Sequence, residues 1–173
     1  MIYANSQTTG RSESLSMRPV GRADCEDLAA FIAHLSEDSR RRYFMGPKRG
    51  FTPRELAQLT DVEHLARGTL VAIDEASSSI IALARYVARE TSDGSADFAV
   101  AVADCWQRRG VGRALSAELI GHACENGICR MHATTLWDNY PSRALLSRLG
   151  FRVCAAGQGV LDLSADLRCR QAA

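Results

Sequence analysis

The residue types and spacing with the most chemical content in this 173-residue chain run from Gln107 through Arg108, Arg109, Gly110, Val111, Gly112 and Arg113 to Ala114. Two glycines, two positions apart, stand where an alternating apolar stretch gives way to a helical one, and they let a backbone approach a ligand closely. The first N–H groups of a helix have no intrahelical partner, and the helix dipole adds partial positive charge there. Arg108, Arg109 and Arg113 supply full charges of the same sign. The combination is an anion site in which a pyrophosphate is held mainly by main-chain hydrogen bonds. It is not a Walker loop, which needs Gly-Lys-Ser/Thr, because Lys48 is the only lysine. Nor is it a dinucleotide fingerprint, whose third glycine would stand at Leu115. Taken alone, the segment also reads as a basic turn opening an amphipathic helix.

Other chemistry is weaker. The six cysteines form no CxxC pair, and the best metal candidates are His122, Cys124, Cys129 and His132. His122 and Cys124 fall two apart in a helical stretch and point away from each other, so no metal is expected. With no export signal, the cysteines are expected in a reducing cytoplasm, mostly as small buried hydrophobes. The four histidines are scattered without a partnered acid or nucleophile, which argues against Ser/His or Cys/His catalysis. Arg40, Arg41 and Arg42 read as a solvated helix face. A net charge of +1, with 46% hydrophobic and 24% charged residues, gives no support to nucleic-acid binding by bulk electrostatics. No apolar run is long enough to span a bilayer.

The elements that must position these residues follow from periodicity. Residues 1–16 are polar and read as a flexible leader, and 17–169 as one domain. A strand at 17–20 is followed by a helix that Asp24 caps, with Leu28, Phe31, Ile32 and Leu35 on its buried face. A second helix follows Ser36 and breaks at Gly46-Pro47. Thr52-Pro53-Arg54-Glu55 is a capping box that opens a third helix running to about Thr60. Strands are expected at 69–73, 80–89 and 96–102, then a helix from Gly110 to Asn126-Gly127. A strand at 130–136, a helix at 139–149 and two strands at 151–155 and 160–167 close the chain. The class is α/β in the α+β sense, a mixed sheet.

Val102-Ala103-Asp104-Cys105-Trp106 continuing through Leu115 resembles motif A of the GNAT N-acetyltransferases, with its Gln/Arg-x-x-Gly-x-Gly core complete. Asn139, then Ala144-Leu145-Leu146-Ser147-Arg148-Leu149-Gly150-Phe151, resembles motif B. Leu35 through Phe44, Leu59-Thr60-Asp61 and Ala96-Asp97-Phe98-Ala99-Val100 are similar to the acetyltransferase domain of bacterial protein-lysine acetyltransferases. The large ligase-like or cyclic-nucleotide-binding domain that some of these carry has no counterpart here, so the acceptor is not carried over. The resemblance implies a mixed, mostly antiparallel sheet of about six or seven strands flanked by about four or five helices. It implies acetyl-CoA, or another short acyl-CoA, as donor and a primary amine as acceptor, either a protein lysine or a small amine. The pyrophosphate would lie on Gln107–Arg113, with Val100 and Val102 main-chain groups on the pantetheine. Asn139 and Ser142 would meet the distal pantetheine or the nucleotide end, and Asn139 has an equal reading as a helix N-cap. Monomer and homodimer both stay open.

An ammonium of reference pKa about 10.4 must lose a proton before it attacks. Asp97 is the candidate base, on one strand face with Ala99 and Ala101, while Phe98, Val100 and Val102 take the other. The related group has Glu at this position, so a water relay is expected to make up the missing methylene. Many family members carry a tyrosine acid where Leu146 stands, and a thiolate of reference pKa about 8.5 leaves without one. These two departures keep a second reading open, a catalytically weakened acyl-CoA-binding regulatory module.

Overall fold

The computed structural model describes residues 14–61, 66–91 and 93–167. The chain runs β1 (Leu15–Pro19), α1 (Cys25–His34), α2 (Glu37–Phe44), α3 (Pro53–Leu59), β2 (Arg67–Asp74), β3 (Ser79–Ala88) and β4 (Ser95–Val102). It continues as α4 (Val111–Glu125), β5 (Arg130–Leu136), α5 (Tyr140–Arg148), β6 (Arg152–Gly157) and β7 (Val160–Asp166). The seven strands form one sheet in the order β1-β2-β3-β4-β5-β7-β6. Every neighbouring pair is antiparallel except β4 and β5. This is the mixed, mostly antiparallel sheet of seven strands with five helices that the resemblance implied.

Alternation along the strands divides the core into two layers. Tyr86, Ala96, Phe98, Met131 and Ala133 pack with Val111, Leu115 and Leu119 of α4 on one face. Val71, Leu83 and Ala101 pack with Leu28, Phe31 and Ile32 of α1 and Leu59 of α3 on the other. Leu115 and Leu119 are fully buried, and each contributes about 1.5–3 kcal/mol by leaving water. The Thr52–Glu55 capping box holds as expected. Thr52 Oγ1 accepts from the Glu55 amide at 3.3 Å while the Glu55 carboxylate accepts from the Thr52 amide at 2.8 Å. Ser36 caps α2 by accepting from the Ser39 amide at 3.2 Å.

Four expectations shift. β1 starts at Leu15 and ends at Pro19, not at 17–20, because Leu15 and Met17 both turn into the core. Two residues assigned to the leader therefore belong to the sheet and Ser14 directly precedes it; residues 1–13 of the leader lie outside the described residues. Asp24 stands at the N-cap of α1, but its carboxylate turns back to Arg18, at 2.7 Å from two guanidinium nitrogens, and to the Gly21 amide at 2.6 Å. Cys105, Cys129 and Cys154 are exposed, so they are not small core residues; Cys129 and Cys154 sit at strand ends and edges and donate to carbonyls instead. Cys169 lies outside the described residues. Finally, the three arginines of α2 are engaged rather than merely solvated. Arg40 donates to the Ala33 carbonyl at 2.9 Å, Arg41 reaches Asp138 at 3.0 Å, and Arg42 pairs with Asp38 at 2.8 Å.

Candidate active site

β4 and β5 pair only from Ser95–Asp97 to Arg130–His132. Beyond this seam the strands part, although β4 stays paired with β3 as far as Val102 and β5 with β7 as far as Leu136. The gap is therefore a slot between two intact half-sheets. The Ala103 amide donates to Ile81 on the β3 side at 2.8 Å. By alternation the main-chain groups of Val102 and Val100 face the slot. A cavity of 630 Å³ fills the opening, walled by β4, β5, the starts of α4 and α5, and α2.

The loop into α4 reaches its shape through two unusual residues. Arg108 has φ 60° and Gly110, the helix N-cap, has φ 88°. No side chain caps α4, and no acidic residue lies in its first turn. Its leading N–H groups are left as donors on the cavity wall. Gly112 is needed for a different reason: a Cβ there would stand 3.1 Å from Val102 Cγ2 and 3.6 Å from Leu145 Cδ2. A side chain at 112 would therefore have to displace Val102 by a few tenths of an ångström for helix, strand and α5 to keep this approach.

Of the residues singled out in the sequence, Val100, Val102, Gln107 and Arg108 line the cavity, as do Gly110, Gly112, Arg113, Asn139 and Ser142. Val111 is buried in the core and Ala114 packs against it. Arg109 stacks on Trp106, its guanidinium carbon 5.0 Å from the ring centre. Gln107 ties the loop down by donating from Nε2 to the Val102 carbonyl and to Ser39 Oγ, both at 3.1 Å. Asn139 does cap α5, its Oδ1 accepting from the Ser142 amide at 3.2 Å, and it also faces the cavity. Leu146, at the position of the family's tyrosine, is buried in the same wall.

Asp97 stands apart. Its side chain is 61% exposed and its Oδ1 lies 2.9 Å from both Nε and Nη2 of Arg89. It faces the α1–α2 side of the sheet with Ala99 and Ala101, as alternation required, but it is not a wall of the cavity.

Three features of the site were missed in the sequence. Asp104 accepts from the Ser36 amide (2.8 Å), Ser36 Oγ (2.7 Å) and Ser39 Oγ (2.7 Å), clamping α2 to the end of β4. Burial pushes the Asp104 carboxyl up, but these hydrogen bonds outweigh it and hold it below the usual range. Arg42 and Tyr43 of α2 form part of the wall, and burial raises the Tyr43 hydroxyl. On β5, Thr134 and Thr135 line the slot opposite β4. The Asp104 clamp joins residues 68 and 65 positions apart, which no local pattern brings together.

The GNAT acetyltransferase domain family matches residues 14–152. An acetyltransferase of Pseudomonas aeruginosa is 30% identical over 137 residues, covering 78% of this chain and 73% of its own. The acetyltransferase Pat of Mycolicibacterium smegmatis is 31% identical over 151 residues, covering 87% of this chain; the chain spans 45% of its length. The crystal structure of the GNAT domain of S. lividans PAT superposes with a TM-score of 0.85 at 25% identity, covering 95% of this chain and 97% of that one. A family match over most of the length, a 30% identical relative of similar size and a slot opening on an uncapped helix start agree: this chain belongs to the GNAT family and is an acetyltransferase.

Proposed function

We propose that the chain transfers an acetyl or short acyl group from acyl-CoA to a primary amine by direct attack, without a covalent enzyme intermediate, and that the acceptor is a protein lysine. The observation that carries the donor half is the slot between β4 and β5, which leads to the free N–H groups of α4. Those donors, with Arg108 and Arg113, suit a pyrophosphate. The in-plane groups of Val100 suit an extended amide chain that takes the place of the missing ladder. A main-chain N–H there also stabilises negative charge as it develops on a thioester oxygen. Asn139 and Ser142 flank the same channel from α5.

On the acceptor side, the Asp97 carboxylate stands outside the cavity beside Arg89, so it would reach the amine's proton only through water. The lysine assignment rests on the likeness to Pat and PAT, and a small amine is the second candidate. No helix among the described residues is long and apolar enough to cross a membrane, and we place the enzyme in the cytoplasm. Calorimetry with acetyl-CoA, followed by CoA release against lysine peptides and small amines, tests this directly. Micromolar binding and turnover on peptides are expected. Binding without turnover on any amine would leave a regulatory acyl-CoA-binding module, and no binding would end both readings.

A further inference from the structure

The acceptor face of the slot holds a second carboxylate that is better connected to the cavity than Asp97. In the parallel seam Asp97 lies beside His132, so Thr134, two residues further along β5, projects on the same face as Asp97 and Ala99. Unlike Asp97 and His132, Thr134 lines the cavity, and it is exposed there. Its Oγ1 donates to Asp162 Oδ1 on β7 at 2.7 Å, and the two residues are direct cross-strand partners. Asp162 is exposed, and among the described residues no Lys, Arg or His pairs with it. The charge of Asp97, in contrast, is already met by Arg89.

We infer that Thr134 and Asp162 form the proton relay that takes the acceptor amine's proton during acyl transfer. This rests on the acyltransferase reading above. As the amine nitrogen bonds to the thioester carbon, an N–H proton passes to Thr134 Oγ1 while the hydroxyl's own proton passes to Asp162 Oδ1. The carbon–sulfur bond then breaks and the electron pair leaves with the CoA thiolate. The proton on Asp162 is released to water, and the products are the amide and CoA. Thr134 never holds a charge, so its hydroxyl passes the proton without being a base itself. The charged or titratable groups on this face include Asp97 with Arg89 and His132 beside Asp97 in the seam, Arg85 beside Ala99 and Arg67 across β3 from Asp97, and on β6 Arg152 beside Ser164, with Cys154 donating to the Asp162 carbonyl. Arg130 with Asp166 lies beyond them at the start of β5, and Arg42 and Tyr43 come from α2.

The test uses the full chain and whichever lysine peptide or small amine the wild type turns over fastest. Thr134→Val, Thr134→Ser, Asp162→Asn, Asp97→Asn and His132→Gln are compared in kcat across pH 6–9, in acetyl-CoA affinity by calorimetry and in thermal stability. General-base contributions run about 10²–10⁴-fold. Thr134→Val and Asp162→Asn are each expected to lower kcat at pH 7 by about 100-fold, with acetyl-CoA affinity within about threefold of wild type. The deficit should shrink toward pH 9 as hydroxide competes to take the same N–H proton, and Thr134→Ser should restore the rate. A purely structural cross-strand pair would lower stability but leave the pH profile unmoved. Thr134→Val within about threefold of wild type at pH 7, or His132→Gln or Asp97→Asn alone removing the rate, overturns the relay and leaves acyl transfer standing. Should Thr134→Val not fold, the Asp162→Asn profile decides by the same thresholds. A wild type that binds acetyl-CoA but acylates no amine overturns the acyltransferase reading and the relay together.

Discussion

Replacing Gly110 with alanine isolates the backbone conformation that aims the start of α4 at the cavity. Gly110 holds φ 88°, and nothing lies within 4 Å of a Cβ built there. The cost is therefore conformational alone, with no new collision. A left-handed conformation costs an L-residue about 1–2 kcal/mol. Alanine also narrows the unfolded ensemble, which returns about 0.4–1 kcal/mol. The net loss should be about 1 kcal/mol in the acetyl-CoA-bound protein. If the loop keeps its shape when empty, all of it appears as lost stability, about 2–4 °C in Tm for a domain of this size. If the empty loop relaxes, stability rises by about 0.4–1 kcal/mol and acetyl-CoA binds about 5- to 30-fold more weakly, since about 1.4 kcal/mol is tenfold. Denaturant unfolding with and without acetyl-CoA, together with calorimetry, measures both parts, and their sum is the predicted quantity. Gly121, exposed within the same helix with no atom within 4 Å of a Cβ, is the control. Gly121→Ala should raise stability by about 0.5–1 kcal/mol. A combined loss for Gly110→Ala below about 0.3 kcal/mol would refute the claim that this conformation is held against a preference.

Three further outcomes are expected. Arg108→Gly relieves the φ of 60°, so thermal scans should show it more stable while calorimetry shows weaker acetyl-CoA binding, because a cavity-facing charge is gone. Asp104→Ala removes three hydrogen bonds between β4 and α2; at about 1.5–3 kcal/mol per charged bond, discounted for exposure, urea unfolding should lose about 2 kcal/mol. The Lys48 ammonium and the Thr52 amide and hydroxyl lower the Glu55 carboxyl from 4.5 to about 2. A depressed carboxylate stabilises the fold above its unfolded pKa and loses that contribution on acidification, so Glu55→Gln should flatten the stability profile between pH 4.5 and about 2.

Legibility in the sequence tracked the distance over which each feature is decided. The α3 capping box lies within four residues, and β5 is bounded by local alternation, so both fell where expected. The anion loop was readable because its glycines and arginines are consecutive. Asp24 looked like a cap for the same local reason, yet Arg18 on β1 claimed its carboxylate, a competition that only the folded chain sets up. Asp104 needed Ser36 and Ser39 to be brought to it. Thr134 and Asp162 needed the β5–β7 register, which periodicity alone does not supply. Asp97 was found by its strand and its face, but its distance from the cavity and its pairing with Arg89 were not in the local pattern.

The three-residue seam between β4 and β5 has a mechanical consequence. It works like the spine of a half-open book: four strands turn as one cover, three as the other, and few main-chain bonds resist their opening. The α2 helix bridges the covers at the open edge, fastened to Asp104 on one and to Asp138 on the other. An extended amide chain lying in the slot would complete the interrupted ladder and lock the covers together. Rigidity across the middle of this sheet would then be a property of the enzyme–substrate complex, and amide hydrogen exchange near Val100 would slow only when the slot is filled.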